Sequence, residues 1–294
     1  MTSPLQPKAD SLSERERERE THQRPGILPI AKSSFEKLGI DWRLVGHGST
    51  YSDCGSWRSR ACLNVDLHFQ TVLDGEDVVG KAYVEFYKRS CFRKECPICY
   101  EKWAGREAGK IEHRLESVGR SFGKSIHIVV SPPERDVFNL PFPDLRRKSY
   151  LVAKKGGFLG GSCIFHPFRE NEDGTWRFSP HFHMIGFGWI KKDFERKGWI
   201  LKNVGVRESI FSTAMYQLGH CGYNENYHSV TWFGRLSYNR LKVSPVVPLE
   251  HRCPICKEKL VDVLYVGKPE ELPDYEEGLG FWIEPDSLLR RDSL

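Results

Sequence analysis

The run Ser179-Pro180-His181-Phe182-His183-Met184-Ile185-Gly186-Phe187 decides how the rest of the chain is read. It follows Gly174-Thr175-Trp176-Arg177-Phe178, a turn glycine leading into a stretch dense in aromatic and apolar residues, and that pattern predicts a β-strand. Side chains alternate across a strand, so His181 and His183 leave one face while Phe182 and Met184 leave the other. Two imidazoles presented to one point suit a divalent metal, with a third ligand from elsewhere and open positions for water or substrate. Two ordinary polar strand residues are the competing reading, and the neighbouring sequence has to decide between them.

Upstream, Ser162 to Arg169 predicts a second strand with His166 near its end, and the turn around Asn171 to Gly174 joins the two as an antiparallel hairpin. Such a hairpin sets His166 beside the pair, either as a third ligand or as a buried, satisfied histidine. Lys124 to Val130 is rich in β-branched residues and is ended by Ser131-Pro132-Pro133, which predicts a central strand. Downstream, Lys191, Lys192, Arg196, Lys197, Lys202 and Arg207 interleave with Trp189, Phe194 and Trp199. Cations for phosphates and rings for bases suit a single-stranded nucleic acid. A solvated helix with a buried aromatic stripe is the plainer reading.

Ser209 to His220 predicts a helix in which Ser209 caps and Ile210, Phe211, Ala214 and Leu218 form one apolar stripe. Tyr216 falls almost opposite that stripe, and Thr213 and His220 share its sector. A phenol with an ordinary pKa of about 10 needs a base or a metal-organised site before it acts as a nucleophile.

The nine cysteines are odd in number, and five fall as Cys91-x4-Cys96-x2-Cys99 and Cys253-x2-Cys256, spacings that read as metal sites in a reducing compartment. Thiolates so placed converge on one tetrahedral ion, and a closed thiolate site is a folding staple. The first cluster needs one more ligand, from Cys54, Cys62 or His68. The second needs two, from His220, Cys221, His228 and His251. Residues 97 to 119 predict a helix with Ala104, Ala108, Ile111, Leu115 and Val118 on one face. Lys102, Arg106, Lys110 and Arg114 step along another, as a phosphate-binding ridge or as a salt-bridged face with Glu101, Glu107 and Glu112. Leu63 to Thr71 and Gly80 to Tyr87 alternate as strands do.

Glu and Arg alternate from Glu14 to Glu20, so residues 1 to 25 are expected as a charged tail, and the acidic, Pro-containing residues 267 to 294 as a loosely packed one. A chain of 294 residues with 39% hydrophobic content can bury a real core. Its net charge of +5 is too modest to establish a nucleic-acid partner alone. No apolar run approaches a membrane span and the first thirty residues lack a signal-peptide core, so a soluble, cytoplasmic protein is expected.

A His-hydrophobic-His strand followed by a helix with Tyr216 resembles the HUH endonuclease superfamily, and its details are similar to archaeal plasmid or virus rolling-circle replication initiators. Ile126 to Pro132, Ser179 to Gly188 and Met215-Tyr216-Gln217-Leu218-Gly219-His220 carry the resemblance, which spans roughly residues 120 to 240. It implies an α+β fold, a central antiparallel sheet with flanking helices, with zinc-binding accessory segments. The division would be a tail at 1–25, a cysteine-rich zinc region and helix at 26–119, the nuclease core at 120–245, and a zinc knuckle with acidic tail at 246–294. It further implies Mg2+ or Mn2+ on His181, His183 and His166, and structural Zn2+ among Cys54, Cys62, Cys91, Cys96, Cys99, Cys253 and Cys256. Tyr216 would attack single-stranded origin DNA to give a 5′-phosphotyrosine intermediate. The implied partners are that DNA and a host helicase and polymerase, with no membrane. Many members carry a lysine three residues after the tyrosine; here that position is Gly219 and His220 follows, so Tyr223, Tyr227 and Tyr238 stay open as nucleophiles. A relaxase or single-tyrosine transposase shares this chemistry, and a non-enzymatic zinc-ribbon DNA-binding protein is the alternative of another class. No GxxxxGK[ST] loop is present, so no fused helicase is expected.

Overall fold

The computed structural model describes residues 42–68, 72–73, 76–190, 193–246, 250–268, 272, 274 and 276–291. In chain order these contain β1 (Arg43–Leu44), β2 (Trp57–Ala61), β3 (Val72–Leu73), β4 (Glu76–Asp77), β5 (Ala82–Lys88), α1 (Tyr100–Glu116), β6 (Ile126–Ser131), α2 (Glu134–Asn139), α3 (Phe142–Lys155), β7 (Phe158–Glu170) and β8 (Trp176–Gly188). There follow β9 (Phe194–Arg196), β10 (Trp199–Val206), α4 (Ile210–Leu218), β11 (Gly222–Tyr223), β12 (Val230–Gly234), β13 (Val261–Tyr265), β14 (Gly280–Ile283) and β15 (Leu288–Arg290).

β7 and β8 form the expected antiparallel hairpin at the centre of a six-stranded sheet of order β12-β7-β8-β6-β10-β9, in which every pairing is antiparallel. Their turn is fixed locally, because the Asp173 carboxylate accepts from the Thr175 amide at 2.9 Å and the Asn171 amide donates to the Thr175 carbonyl at 2.7 Å. Alternation then divides the side chains. Ile128, Val130, Phe165, Phe182 and Met184 pack beneath Phe142, Leu145 and Val152 of α3. Ile164, Ile185 and Phe187 face the other way, beneath Ala104, Ala108 and Ile111 of α1 and Ala214 and Leu218 of α4. Each such fully buried side chain contributes roughly 1.5–3 kcal/mol, so both faces of the sheet anchor helices. Where β7 and β8 run closest, Gly161 and Gly186 leave no room for a side chain: a Cβ on Gly186 would stand 2.1 Å from the Gly160 carbonyl oxygen. The chain is mixed α+β with antiparallel sheets.

A second sheet, β14-β5-β2-β13-β15, closes on Ala61, Ala82, Val84, Val263 and Leu288. Residues 267–294, expected as a loose tail, supply β14 and β15, which pair with β5 and β13. Phe281 and Leu288 give those strands apolar side chains to bury, and this outweighs the acidic composition. Leu63 to Thr71 also departs from expectation: within it, residues 63–68 are loop and one 3-10 turn at Val65–Leu67, and 69–71 lie outside the described residues. Buried His68 bonds the Lys81 carbonyl through Nδ1 at 2.7 Å, which turns the chain inward. The basic stretch after the hairpin forms β9 and β10 joined at Lys197-Gly198, where a helix was the plainer reading. The charged tail expected at residues 1–25 lies outside the described residues.

Candidate active site

Strand register brings the histidines together. His166 on β7 pairs directly with His181 on β8, and His183 sits between Ile164 of β7 and Val129 of β6. All three share the sheet face that carries α1 and α4, and one ring nitrogen from each lies within 4.8 Å of the others. Nδ1 of His181 donates to the Ser179 carbonyl at 2.6 Å, which fixes the tautomer and leaves the Nε2 lone pair for a ligand. His166 is fully buried, with its ring 4.3 Å from that of His183, yet neither of its nitrogens has a hydrogen-bond partner. Leaving such a group unsatisfied costs about 1–3 kcal/mol, so the reading of His166 as a satisfied core histidine does not fit. The three imidazoles could hold a metal ion, which would satisfy one of the two His166 nitrogens.

His127 completes the cluster and was not singled out from the sequence. Its Nε2 lies 2.8 Å from Nδ1 of His183, so with the His183 proton on Nδ1 the Nε2 of His183 is free to coordinate. The signal was present: His127 stands out of phase with the apolar Ile126, Ile128 and Val130, and therefore faces the histidine side.

The site holds its imidazoles neutral. Burial lowers His127 to about 4, with the charge of Arg207 adding to the effect, and burial followed by the charge of Arg169 lowers His181 to about 3. Burial likewise holds His166 and His183 well below the ordinary histidine range, and the neighbouring histidines reinforce it. Neutral imidazole is the form that binds metal. Two arginines flank the group. Arg207 acts on His127, and its Nε is buried without a hydrogen-bond partner. Arg169 acts on His181 and stands opposite Arg177 in the hairpin, where burial first and that second charge next lower its own pKa.

α4 presents the tyrosine. The Ser209 hydroxyl accepts from the Ser212 amide at 3.0 Å and caps the helix; Ala214, Gln217 and Leu218 are buried, and Tyr216 is 69% exposed. Phe211, expected in the apolar stripe, is instead 39% exposed at the helix edge. The Tyr216 ring lies 4.6 Å from that of His220, which in turn lies edge-on to His166 at 4.6 Å. The other tyrosines go elsewhere. Tyr223 is buried on β11, Tyr227 packs on Trp42 and Phe142 against the opposite sheet face, and Tyr238 lies under the Arg114 guanidinium.

Both cysteine clusters could hold a metal such as zinc. Cys54 is the fourth member of the first, with Cys91, Cys96 and Cys99. The second joins Cys253 and Cys256 to Cys62 and His68, and not to the expected His220, Cys221, His228 or His251. β2 and β13 pair antiparallel, which brings Cys62, just after β2, to the end where residues 253–256 precede β13. His68 Nε2 lies 3.2 Å from the Cys253 sulfur, oriented by its Nδ1 bond to Lys81. Cys221 is buried beneath α1 and α4, and His251 bonds Arg60. Burial raises Cys99, but hydrogen bonds from Ser90, the Cys91 amide and neighbouring thiols outweigh it and bring it down to about 7; burial dominates at Cys91, pushed up to about 12. Cys256 at about 7 and Cys62 at about 12 repeat the division. Hydrogen bonds among the thiols and from backbone amides thus favour a thiolate within each cluster, the charge that receives a cation.

Of the basic surface expected after the hairpin, Lys191 and Lys192 lie outside the described residues, while Arg196 and Lys197 sit at the β9–β10 turn. Trp199 is buried and donates to Asp136 at 2.6 Å, so it offers no ring for stacking; Trp189 is 76% exposed. Among the described residues no helix is long and apolar enough to cross a membrane. Comparison with known proteins gives no match to a family model, a curated protein or a solved structure.

Proposed function

We propose that the chain is a metal-dependent nicking and rejoining enzyme for single-stranded DNA, of the HUH type, acting as a rolling-circle replication initiator at an origin. The observation that carries this reading is the contiguous run of edge-on ring contacts from Tyr216 through His220 to His166, beside His181 and His183. Mn2+ or Mg2+ would be held by His166, His181 and His183, and the all-imidazole set favours Mn2+, since Mg2+ prefers oxygen ligands. When bound, the ion supplies charge stabilisation at the scissile phosphate.

The chain's own residues supply the rest. The phenolic oxygen of Tyr216 attacks phosphorus, forming a Tyr–O–P bond while the bond from phosphorus to the 3′ oxygen breaks, and that oxygen takes a proton from water to leave as a 3′-hydroxyl. His220, one turn away, is the base that takes the phenol proton. Arg169 and Arg207 bring positive charge to both sides of the phosphate. Attack by a free 3′-hydroxyl reverses the step and reseals the strand. Exposure of Tyr216 suits a nucleophile that must meet a polymer, and the absence of an acid from the three-histidine set avoids repelling it. A relaxase or single-tyrosine transposase would use the same atoms on a different DNA.

The test is a gel assay with labelled single-stranded oligonucleotides from the noncoding regions of the encoding element, with and without Mn2+. A metal-dependent, protease-sensitive covalent adduct is expected, lost in Tyr216→Phe with DNA binding retained. An adduct that persists in Tyr216→Phe moves the nucleophile to another tyrosine. Binding without cleavage, unchanged when His181 and His183 are replaced, leaves a zinc-stapled DNA-binding protein.

A further inference from the structure

A concavity lies outside the histidine site. It is a cleft of about 390 Å3 between the loop linking Cys91 to Cys96, the outer side of α1 and the edge strand β12. That volume falls in the range of small-molecule and cofactor sites. Trp103 and Ile111 form its buried floor, and Trp232 and Tyr238 one wall. Four cations line it against two acids: Arg93 pairs with Glu95, Lys110 and Arg106 share Glu107 at 2.7 and 3.8 Å as on the expected salt-bridged face, and Lys94 donates to the Asn224 and Tyr227 carbonyls at 3.4 Å, so Arg106 and Lys110 hold the charge that one acid leaves uncompensated.

Two features distinguish this cleft from a solvated helix face. The aromatic wall is held rigid from behind. Arg114, expected on the exposed basic ridge of α1, is buried; it donates to the Leu236 and Leu241 carbonyls and lies 5.0 Å from the Trp232 ring and 4.7 Å from that of Tyr238. The second feature is Phe92. Its φ of 52° is in the left-handed region, which glycine adopts freely and a bulky side chain does not. Packing does not compensate, because Phe92 is 42% exposed, with its ring beneath the Arg106 guanidinium at 4.9 Å. Lys257, directly after Cys256, has the same left-handed turn with φ 61°, so the conformation comes with the cysteine loops, and after Cys91 it sets an exposed aromatic ring at the mouth of the cleft.

We propose that this cleft binds single-stranded DNA, stacking one base on Phe92 and another on the Trp232 and Tyr238 wall, with its phosphates against Arg106 and Lys110. Aromatic faces accept any base, and the excess of positive charge accepts the backbone. The choice of DNA as the strand rests on the nuclease reading above; the cleft itself does not depend on catalysis.

The experiment uses the full chain, without added Mn2+, and a 20-nucleotide oligo-dT carrying one 5-iododeoxyuridine. Irradiation and peptide mapping should place the crosslink on Phe92, Trp232 or Tyr238. Fluorescence anisotropy should show Phe92→Gly and Tyr238→Ala each weakening binding about tenfold, the size of one lost base stack. Phe92→Gly should melt no lower than the parent, since glycine relieves the left-handed strain, so loss of binding there is not misfolding. Crosslinks confined to other residues, with both variants binding like the parent, would overturn the proposal even if the parent cleaves DNA. Weakened binding in the variants, with no covalent adduct from the parent under Mn2+, would keep the cleft and remove the nuclease reading. Tenfold tighter binding of oligo-U than oligo-dT, or competition by an acidic peptide alone, would assign the cleft to RNA or to protein and overturn the DNA assignment.

Discussion

His127 and His181 differ in what a substitution removes. On the proposed function, His181→Ala deletes one of three metal ligands and should abolish Mn2+-dependent cleavage. His127→Ala leaves all three ligands but frees the His183 ring, and should weaken Mn2+ binding about 10- to 100-fold in a metal titration, the usual cost of a lost outer-shell partner. Protonation gives a second check at this scale. His127 and His181 titrate near 4 and 3 in the folded chain against 6.5 when unfolded, so between pH 6.5 and 3 the unfolded chain binds more protons. Without added divalent metal, stability should therefore fall as pH drops through that window, and the fall should be shallower in His127→Gln, read from melting temperatures at pH 7, 6 and 5. The His181/His183 pair was legible in sequence because strand alternation needs only local pattern. His127 was hidden by the β-branched residues around it, which marked its strand as central and drew notice to the opposite face.

At the scale of elements, the β7–β8 hairpin is the part whose geometry tolerates least. Gly186→Ala would drive a Cβ into the Gly160 carbonyl, and overpacking of that kind costs about 1–3 kcal/mol or more. The expected result is a lowered denaturation midpoint together with weakened metal binding, because the same strand pairing sets His166 against His181. A midpoint equal to the parent's would show that the hairpin can spread. α4 was nearly readable from its capping serine and apolar spacing, although it ends at Leu218, which leaves His220 in the turn beyond. The segment after β8 left a solvated helix open as the alternative to a nucleic-acid surface, because the aromatic character of Trp199 and Phe194 fits a helix stripe and a strand equally well over so short a stretch.

For the whole molecule, the cysteine clusters make a stoichiometric prediction: native mass spectrometry should find two zinc ions per chain, and Cys256→Ser should bind one. The variant should also melt lower, since a closed metal site contributes folding free energy directly. Spacing alone pointed to Cys91, Cys96, Cys99, Cys253 and Cys256 as candidate metal ligands, and the structure gathers them into two clusters that could hold a metal. Spacing could not reveal their partners, because those are set by strand pairing across long separations; Cys62 and Cys256 lie 194 residues apart. Sequence likewise showed neither the second sheet nor the cleft beside the first knuckle, each assembled from segments distant in the chain.

The second cluster also orders events in time. Cys62 and His68 emerge from the ribosome early, and at several residues per second their partners at 253 and 256 follow some tens of seconds later. Until then β2 lacks β13, and the early half of the donor set stands open to any thiophilic ion or oxidant in its surroundings. Closure of that site therefore precedes the delivery of β13, β14 and β15, so the donor set is complete before the sheet is, and a chain cut short before residue 253 has neither.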